Sequence, residues 1–217
     1  MERLNVNPTR MELTKLKKRL VTAVRGHKLL KDKRDELMKQ FLDTVRGTLA
    51  LREKLEAELQ DAYGGFFASS ALMSPQMMAQ TFLYPKQGVS IDIDYKNIMS
   101  VNVPVYTIKT KTDNKGDIFP YGFASTPCEL DDSVQRLSNL MDDLLKLAQM
   151  EKTVKLLAQE IEKTRRRVNA LEYVMIPRFQ ETIKYIVMKL DENERGNTTR
   201  LMKVKDMVLT EAHDYEN

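Results

Sequence analysis

Two very long stretches almost free of helix breakers lie at the two ends of this 217-residue chain, with a short β-patterned insert between them. The first has no Gly or Pro from Thr9 to Arg25, and only Gly26 and Gly47 before the pair Gly64-Gly65. The second has neither residue from Cys128 to Ile176. At ~1.5 Å rise per residue, a run of ~50 residues makes a rod of roughly 75 Å. A helix of that length has an apolar stripe it cannot bury alone, so the two stretches must pack on each other or on partners. The geometry points to a shaft, strut or tether rather than to an enzyme. The expected fold class is mainly α: a long antiparallel two-helix coiled coil with a short β-hairpin and a short helix inserted between the long helices.

The first helix has two start signals. Asn7-Pro8 offers a cap followed by proline, and Thr9 with Glu12 forms a capping box. Its apolar track runs Leu13, Leu16, Leu20, Ala23, His27, Leu30, Arg34, Leu37, Phe41, then Val45, Leu49, Leu55, Leu59 and Ala62. This is a heptad seam with two polar interruptions. Gly64-Gly65 reads as its stop. In the insert, Ser74-Pro75 starts a short helix through Met77, Met78 and Phe82. Val89, Ile91, Ile93 and Tyr95 then alternate with polar residues, as do Met99, Val101, Val103 and Val105, predicting two strands of which the first is half-buried. Lys96-Asn97 suits the hairpin loop, and Asp113-Asn114-Lys115-Gly116 reads as a further turn.

The second long helix is capped by Thr126, Pro127 and Glu129. Its seam runs Leu130, Val134, Leu137, Met141, Leu144, Ala148, Val154, Leu157, Ile161, Val168 and Leu171, and resumes as Phe179, Ile183, Ile186, Leu190, Leu201, Val204 and Val208. Pro177 lacks a backbone donor and crowds the carbonyl of Tyr173, so a kink is expected there. The chain thus divides into an N-terminal helix (1–65), an insert (66–125) and a C-terminal helix (126–217). Antiparallel pairing with both termini at one tip would set Leu13 near Met202 and Pro177 near Met38.

The chemistry-bearing residues are few. With two histidines and one cysteine, no Ser-His-Asp order, paired-carboxylate site or zinc spacing can be assembled, so no catalytic, cofactor or metal residue is assigned. His27 reads as a hydrogen-bonded seam residue, with His213 its only possible histidine partner. Arg34 either fixes register with a carboxylate or snorkels outward. Arg165-Arg166-Arg167 reads as a solvated run, and Met77, Met78 and Met99 as packing or partner contacts. Lone Cys128 excludes an internal disulfide. No segment approaches the ~20 apolar residues of a membrane span, and Met1–Asn5 lacks a signal-peptide core, so a cytoplasmic chain without direct membrane insertion is expected. The net charge of +4 is uneven: residues 1–34 carry eleven Lys/Arg and three Asp/Glu.

Four groups of strings resemble the D subunit of the rotary V-type and A-type ATPases, in its bacterial and archaeal form. They are Asn5–Leu13 with Gly26–Lys33, Asn97–Pro104, Glu162–Tyr173 followed by Ile176–Phe179, and Glu192–Arg195 with Thr199–Lys205. The resemblance implies a non-catalytic central rotor shaft that transmits torque between an ATP-hydrolysing or ATP-synthesising hexamer and a membrane ring that moves ions. It further implies a small partner (the F subunit), the hexamer of catalytic and regulatory subunits as a sleeve, and a funnel-like subunit on the ring. Nucleotide would be bound by the hexamer. The family hairpin, thought to influence ATPase rate, would fall within Val89, Ile91, Ile93, Asn97, Ile98, Met99, Val101 and Val103. A basic tip of Arg10, Lys15, Lys17, Lys18, Arg19, Arg25, Arg195, Arg200, Lys203 and Lys205 would meet acidic loops of the hexamer. The rival readings are a basic helical-hairpin adaptor for nucleic acid or anionic membrane, and a general coiled-coil scaffold. Against nucleic acid, the insert has no cluster of aromatics beside Lys/Arg and no recognised binding module.

Overall fold

A computed structural model of the chain describes residues 3–111, 117–122 and 126–215, the last six by their backbone alone. Helix α1 spans Arg10–Leu72, α2 Pro75–Thr81, strand β1 Val89–Ile98, strand β2 Val101–Thr110, and α3 Cys128–Asn169. A π-helical turn, Ala170–Met175, then leads into α4, Ile176–Tyr215. The architecture is mainly helical, two long helical stretches packed together with a β-hairpin between them in sequence. The turn expected at Asp113–Gly116 lies outside the described residues.

The chain forms two compact units, Met1–Arg34 with Lys163–Asn217 and Asp35–Glu162. In the first, α1 starts where its capping residue dictates: the Glu12 N–H donates to the Thr9 hydroxyl at 3.3 Å. Leu16, Phe179 and Ile186 form the buried core, flanked by Leu4, Leu13, Leu20, Ala23, Ile183 and Leu190. The helices run antiparallel, as the Arg10–Glu194 ion pair and the 3.3 Å contact of His27 Nε2 with Glu172 Oε2 require. The segment before α1 lies back along α4. The Leu4 N–H donates to the Thr182 hydroxyl at 3.2 Å, and the Arg3 guanidinium sits 4.9 Å from the centre of the Tyr185 ring, a cation–π distance.

In the second unit, α1 and α3 again run antiparallel. Arg52 and Lys54 on α1 face Glu151 and Asp143 on α3, each at 3.7 Å. Leu37, Leu157, Ile161 and Val101 share one buried cluster, edged by Phe41, Met99 and Leu156. The buried hydroxyls of Ser69 and Ser133 donate to carbonyls four residues back, at 2.9 and 2.7 Å, which satisfies them without a partner across the interface. The hairpin is a two-stranded antiparallel sheet from Val89↔Thr110 to Ile98↔Val101.

Several expectations are corrected. Helix α1 does not stop at Gly64-Gly65 but continues to Leu72. A Cβ at Gly65 would lie 2.4 Å from Ser133 Oγ, so this glycine serves close approach of α3 rather than termination. The hairpin turn is Met99-Ser100, with φ of 49° and 73°, not Lys96-Asn97; the Asn97 side chain instead supports it, its Oδ1 accepting from the Ser100 N–H at 3.0 Å. Strand β1 is exposed on both faces rather than half-buried, because only β2 turns buried residues inward. The register also differs. Leu13 shares a cluster with Leu190, not Met202, because α4 runs on past the start of α1 instead of ending level with it. Leu201, Val204 and Val208, expected in the seam, are all exposed. At Pro177 the backbone response is the π turn just before it, where the Ile176 N–H reaches the Leu171 carbonyl.

Candidate functional site

The ten basic residues assigned to a tip all lie exposed in the first unit. Arg10 is paired with Glu194, and Lys15 with Glu12 at 2.8 Å. Lys17, Lys18, Arg19 and Arg25 follow along α1. Arg195, Arg200, Lys203 and Lys205 lie on the part of α4 that continues beyond the Arg10–Glu194 pair. The cations are therefore strung along the unit, with Arg10 and Arg195 nearest one another across the helices.

Every residue from 191 to 209 is exposed. Leu201, Met202, Val204, Met207, Val208 and Leu209 are each more than half uncovered, among Arg200, Lys203 and Lys205. Such a helix has no partner from its own chain along this stretch. An exposed apolar surface with a basic margin of this extent marks a protein contact. The division into units also sharpens the charge asymmetry. Residues 1–34 and 163–217 hold 22 Lys/Arg against 12 Asp/Glu, whereas 35–162 hold 13 against 19. The first unit is strongly basic and the second acidic.

The hairpin residues fall into two groups. Val89, Ile91, Ile93 and Asn97 are exposed, while Ile98 and Met99 are half-buried and Val101 and Val103 are buried. The turn is thus fastened to the helices through Met99 and Val101, which meet the Leu37 cluster, and the Tyr106 N–H donates to Gln149 Oε1 at 3.1 Å. Beside β2, a groove of about 970 Å³ runs along α3 between Tyr106 and Ile108 on one wall and Leu137 and Met141 on the other.

An aromatic cluster closes the second unit where α1 ends. Phe66 meets Phe67 and Phe82, Phe82 meets Tyr121, and Tyr121 meets Phe119, with ring centres 6.0 to 6.4 Å apart, within the range of edge-to-face packing. Burial, then the bond that its hydroxyl donates to Asp131 at 2.8 Å, hold the Tyr121 phenol well above the ordinary range. Phe67, Leu72, Leu83 and Tyr84 nearby are more than half exposed. The sequence alone hides this cluster, because Gly64-Gly65 reads as a helix stop just before Phe66-Phe67.

Cys128 is an exposed free thiol. Among the described residues no group of three or more His, Cys, Asp or Glu could hold a metal ion, and no helix is long and apolar enough to cross a membrane. What the surface offers is docking rather than bond-making chemistry.

Comparison with known proteins agrees. Residues 12–206 match the family model for the D subunit of ATP synthase. The chain is 62% identical to the V-type ATP synthase D subunit of Acetivibrio thermocellus, covering 98% of this chain and 96% of that one. It is 61% identical to the V-type ATP synthase D subunit of Clostridioides difficile, over 98% and 95% of the two chains. For the Clostridium botulinum protein of the same name, identity is 57%, over 95% and 96%.

Proposed function

We propose, on the premise that this chain belongs to the ATP synthase D-subunit family, how it works as the central-stalk rotor subunit of a V-type ATPase. It is a non-catalytic member of that complex. The basic first unit, with the exposed continuation of α4, turns inside the sleeve of the catalytic and regulatory hexamer on the cytoplasmic side of the membrane. The aromatic end of the second unit seats on the funnel-like subunit of the ion-translocating ring. The small F subunit holds the paired helices of the second unit, and the hairpin, fastened by Met99 and Val101, modulates the ATPase rate.

The observation that carries this reading is the run of exposed apolar and basic side chains from Arg195 to Leu209. A rotor must be held laterally in its bearing and yet must not adhere at one angle. Apolar contact supplies the first, being non-directional. Exposed Lys and Arg permit the second, because a surface ion pair is worth only about 0–1 kcal/mol and is readily exchanged.

The test is reconstitution with the hexamer, with a bead attached through Cys128. ATP is expected to drive stepwise rotation of the bead, and a chain lacking residues 197–217 is expected to lose ATP-coupled torque. A bead that stays still while the hexamer hydrolyses ATP, or full torque from the shortened chain, would overturn the assignment.

A further inference from the structure

The π turn at Ala170–Met175 stands out in a helical stretch that is otherwise regular from Cys128 to Tyr215. Its cause is local. Pro177 has no N–H for the Tyr173 carbonyl, and in a regular helix its ring would press on that carbonyl. The ladder widens one step earlier, and the Ile176 N–H bonds to Leu171, five residues back. Wide turns of this kind are rare and concentrate at functional positions.

Around it the packing is at its thinnest. No residue between Val168 and Phe179 is buried, and on α1 none is buried between Leu16 and Leu37. Leu171 is half-buried, while Tyr173, Val174 and Met175 face outward. Gly26 has no atom within 4 Å of where a Cβ would stand. The contact across this layer is polar: His27 on α1 against Glu172 in the turn. Elsewhere in the same unit the helices are held by Leu16, Phe179 and Ile186, which are buried together.

We propose that Ala170–Met175 is a torsional spring in this shaft, a π turn that tightens or slips by one hydrogen bond to let α4 twist about its axis, with the His27–Glu172 contact limiting the travel. The inference rests on the rotor assignment. Three features make the turn suited to it. Its ladder already departs from the α-helical minimum, so a change of one bond disturbs no regular turn. Its side chains are exposed, so twisting moves few atoms against a packed neighbour. Its single cross-helix fastening is a polar pair, which can stretch and reform where an interdigitated apolar layer would hold or break. Twist stored there during a power stroke would be returned as torque while Leu16, Phe179 and Ile186 keep the axis intact.

Two measurements test this on the full chain and the assembled complex. Amide hydrogen exchange of the full chain is expected to be about ten-fold faster at residues 171–176 than at 182–187, as for a locally opening segment. In the rotation assay, the angular spread of the Cys128-linked bead in each dwell reports shaft stiffness. Pro177→Ala, which restores the missing donor, is expected to slow exchange in the turn and narrow the spread roughly two-fold in variance. His27→Ala is expected to do the opposite. Uniform exchange across 171–187, or an unchanged spread in both variants while the bead still rotates, would overturn the spring. Absence of rotation in the unmodified complex would instead overturn the rotor assignment on which the spring depends.

Discussion

Adjacent glycines in α1 make opposite predictions. Gly64 has no atom within 4 Å of a built Cβ, whereas at Gly65 that atom would collide with the Ser133 hydroxyl. Ser133 is buried and its Oγ is already committed to the Glu129 carbonyl. Gly64→Ala is therefore expected to stabilise the chain by up to about 1 kcal/mol through helix propensity. Gly65→Ala should destabilise it by about 1–3 kcal/mol through overpacking, less the same propensity gain. Ser133→Ala in the Gly65→Ala background should recover most of the loss. Urea midpoints followed by circular dichroism decide all three. Sequence alone does not separate the two glycines, because a helix stop and a close crossing both select for the missing Cβ, and only the facing residue tells them apart. A pH effect also belongs at this scale. The hydrogen bond from Lys146, its charge, and the charge of Lys54 hold Asp143 below the ordinary carboxylate range. A carboxylate lowered by folding adds stability that is present above its unfolded titration, and that is lost as pH falls through the folded value. Asp143→Asn is thus expected to flatten the acid side of the stability–pH curve and to leave its neutral side nearly level, which urea titrations at successive pH values would register.

Among the elements, the hairpin shows what periodicity reveals and what it leaves open. Alternation locates both strands and the pairs that share a face. It does not establish that a face is covered, and β1 proves exposed throughout. The turn falls elsewhere than expected because Lys96-Asn97 carries the polarity usual in loops, while Met99 is an unusual occupant of a left-handed position. Two consecutive non-glycine residues with positive φ cost about 1–2 kcal/mol each. They persist because Met99 packs on the Leu37 cluster and Asn97 holds the Ser100 N–H. Ser100→Gly should therefore stabilise the chain by about 0.5–1 kcal/mol, since Gly adopts this conformation freely and the serine side chain is exposed. Met99→Gly should yield no gain, because the relieved strain is offset by lost packing. Thermal unfolding of the two variants separates the effects. The long helices are legible from their freedom from Gly and Pro, and much of their seam from heptad spacing. Where the pattern runs on through Leu201, Val204 and Val208, the spacing is genuine but the covering surface is absent from this chain. A periodic stripe says that something will be buried; it does not say by whom.

Taken as a whole, the molecule separates its charge and its cover. The unit containing both termini is basic and carries a helix with no cover of its own from 191 to 209; the other is acidic and carries the aromatic cluster. Neither feature serves folding. Side chains that touch nothing contribute little to stability, so removing residues 197–217 is expected to change the unfolding free energy by no more than about 0.5 kcal/mol. The same deletion should abolish productive coupling in the reconstituted ATPase. A structural role for this stretch would make the two readouts fall together, and they are expected to part. Charge offers the complementary test. Reversing Lys18, Arg19, Arg200 and Lys203 to Glu leaves no buried group unpaired, since all four are exposed, and so should leave the fold intact. If these residues meet acidic loops of the hexamer, reversal turns attraction into repulsion. Assembly should then weaken at low ionic strength and recover partly as salt shortens the reach of the field, about 10 Å at 0.1 M. The unmodified chain should respond to salt in the other direction. The sign of that salt dependence, compared between the two proteins, isolates the electrostatic part of the bearing from the apolar part, because burial of Leu201, Val204 and Val208 carries no charge for salt to screen.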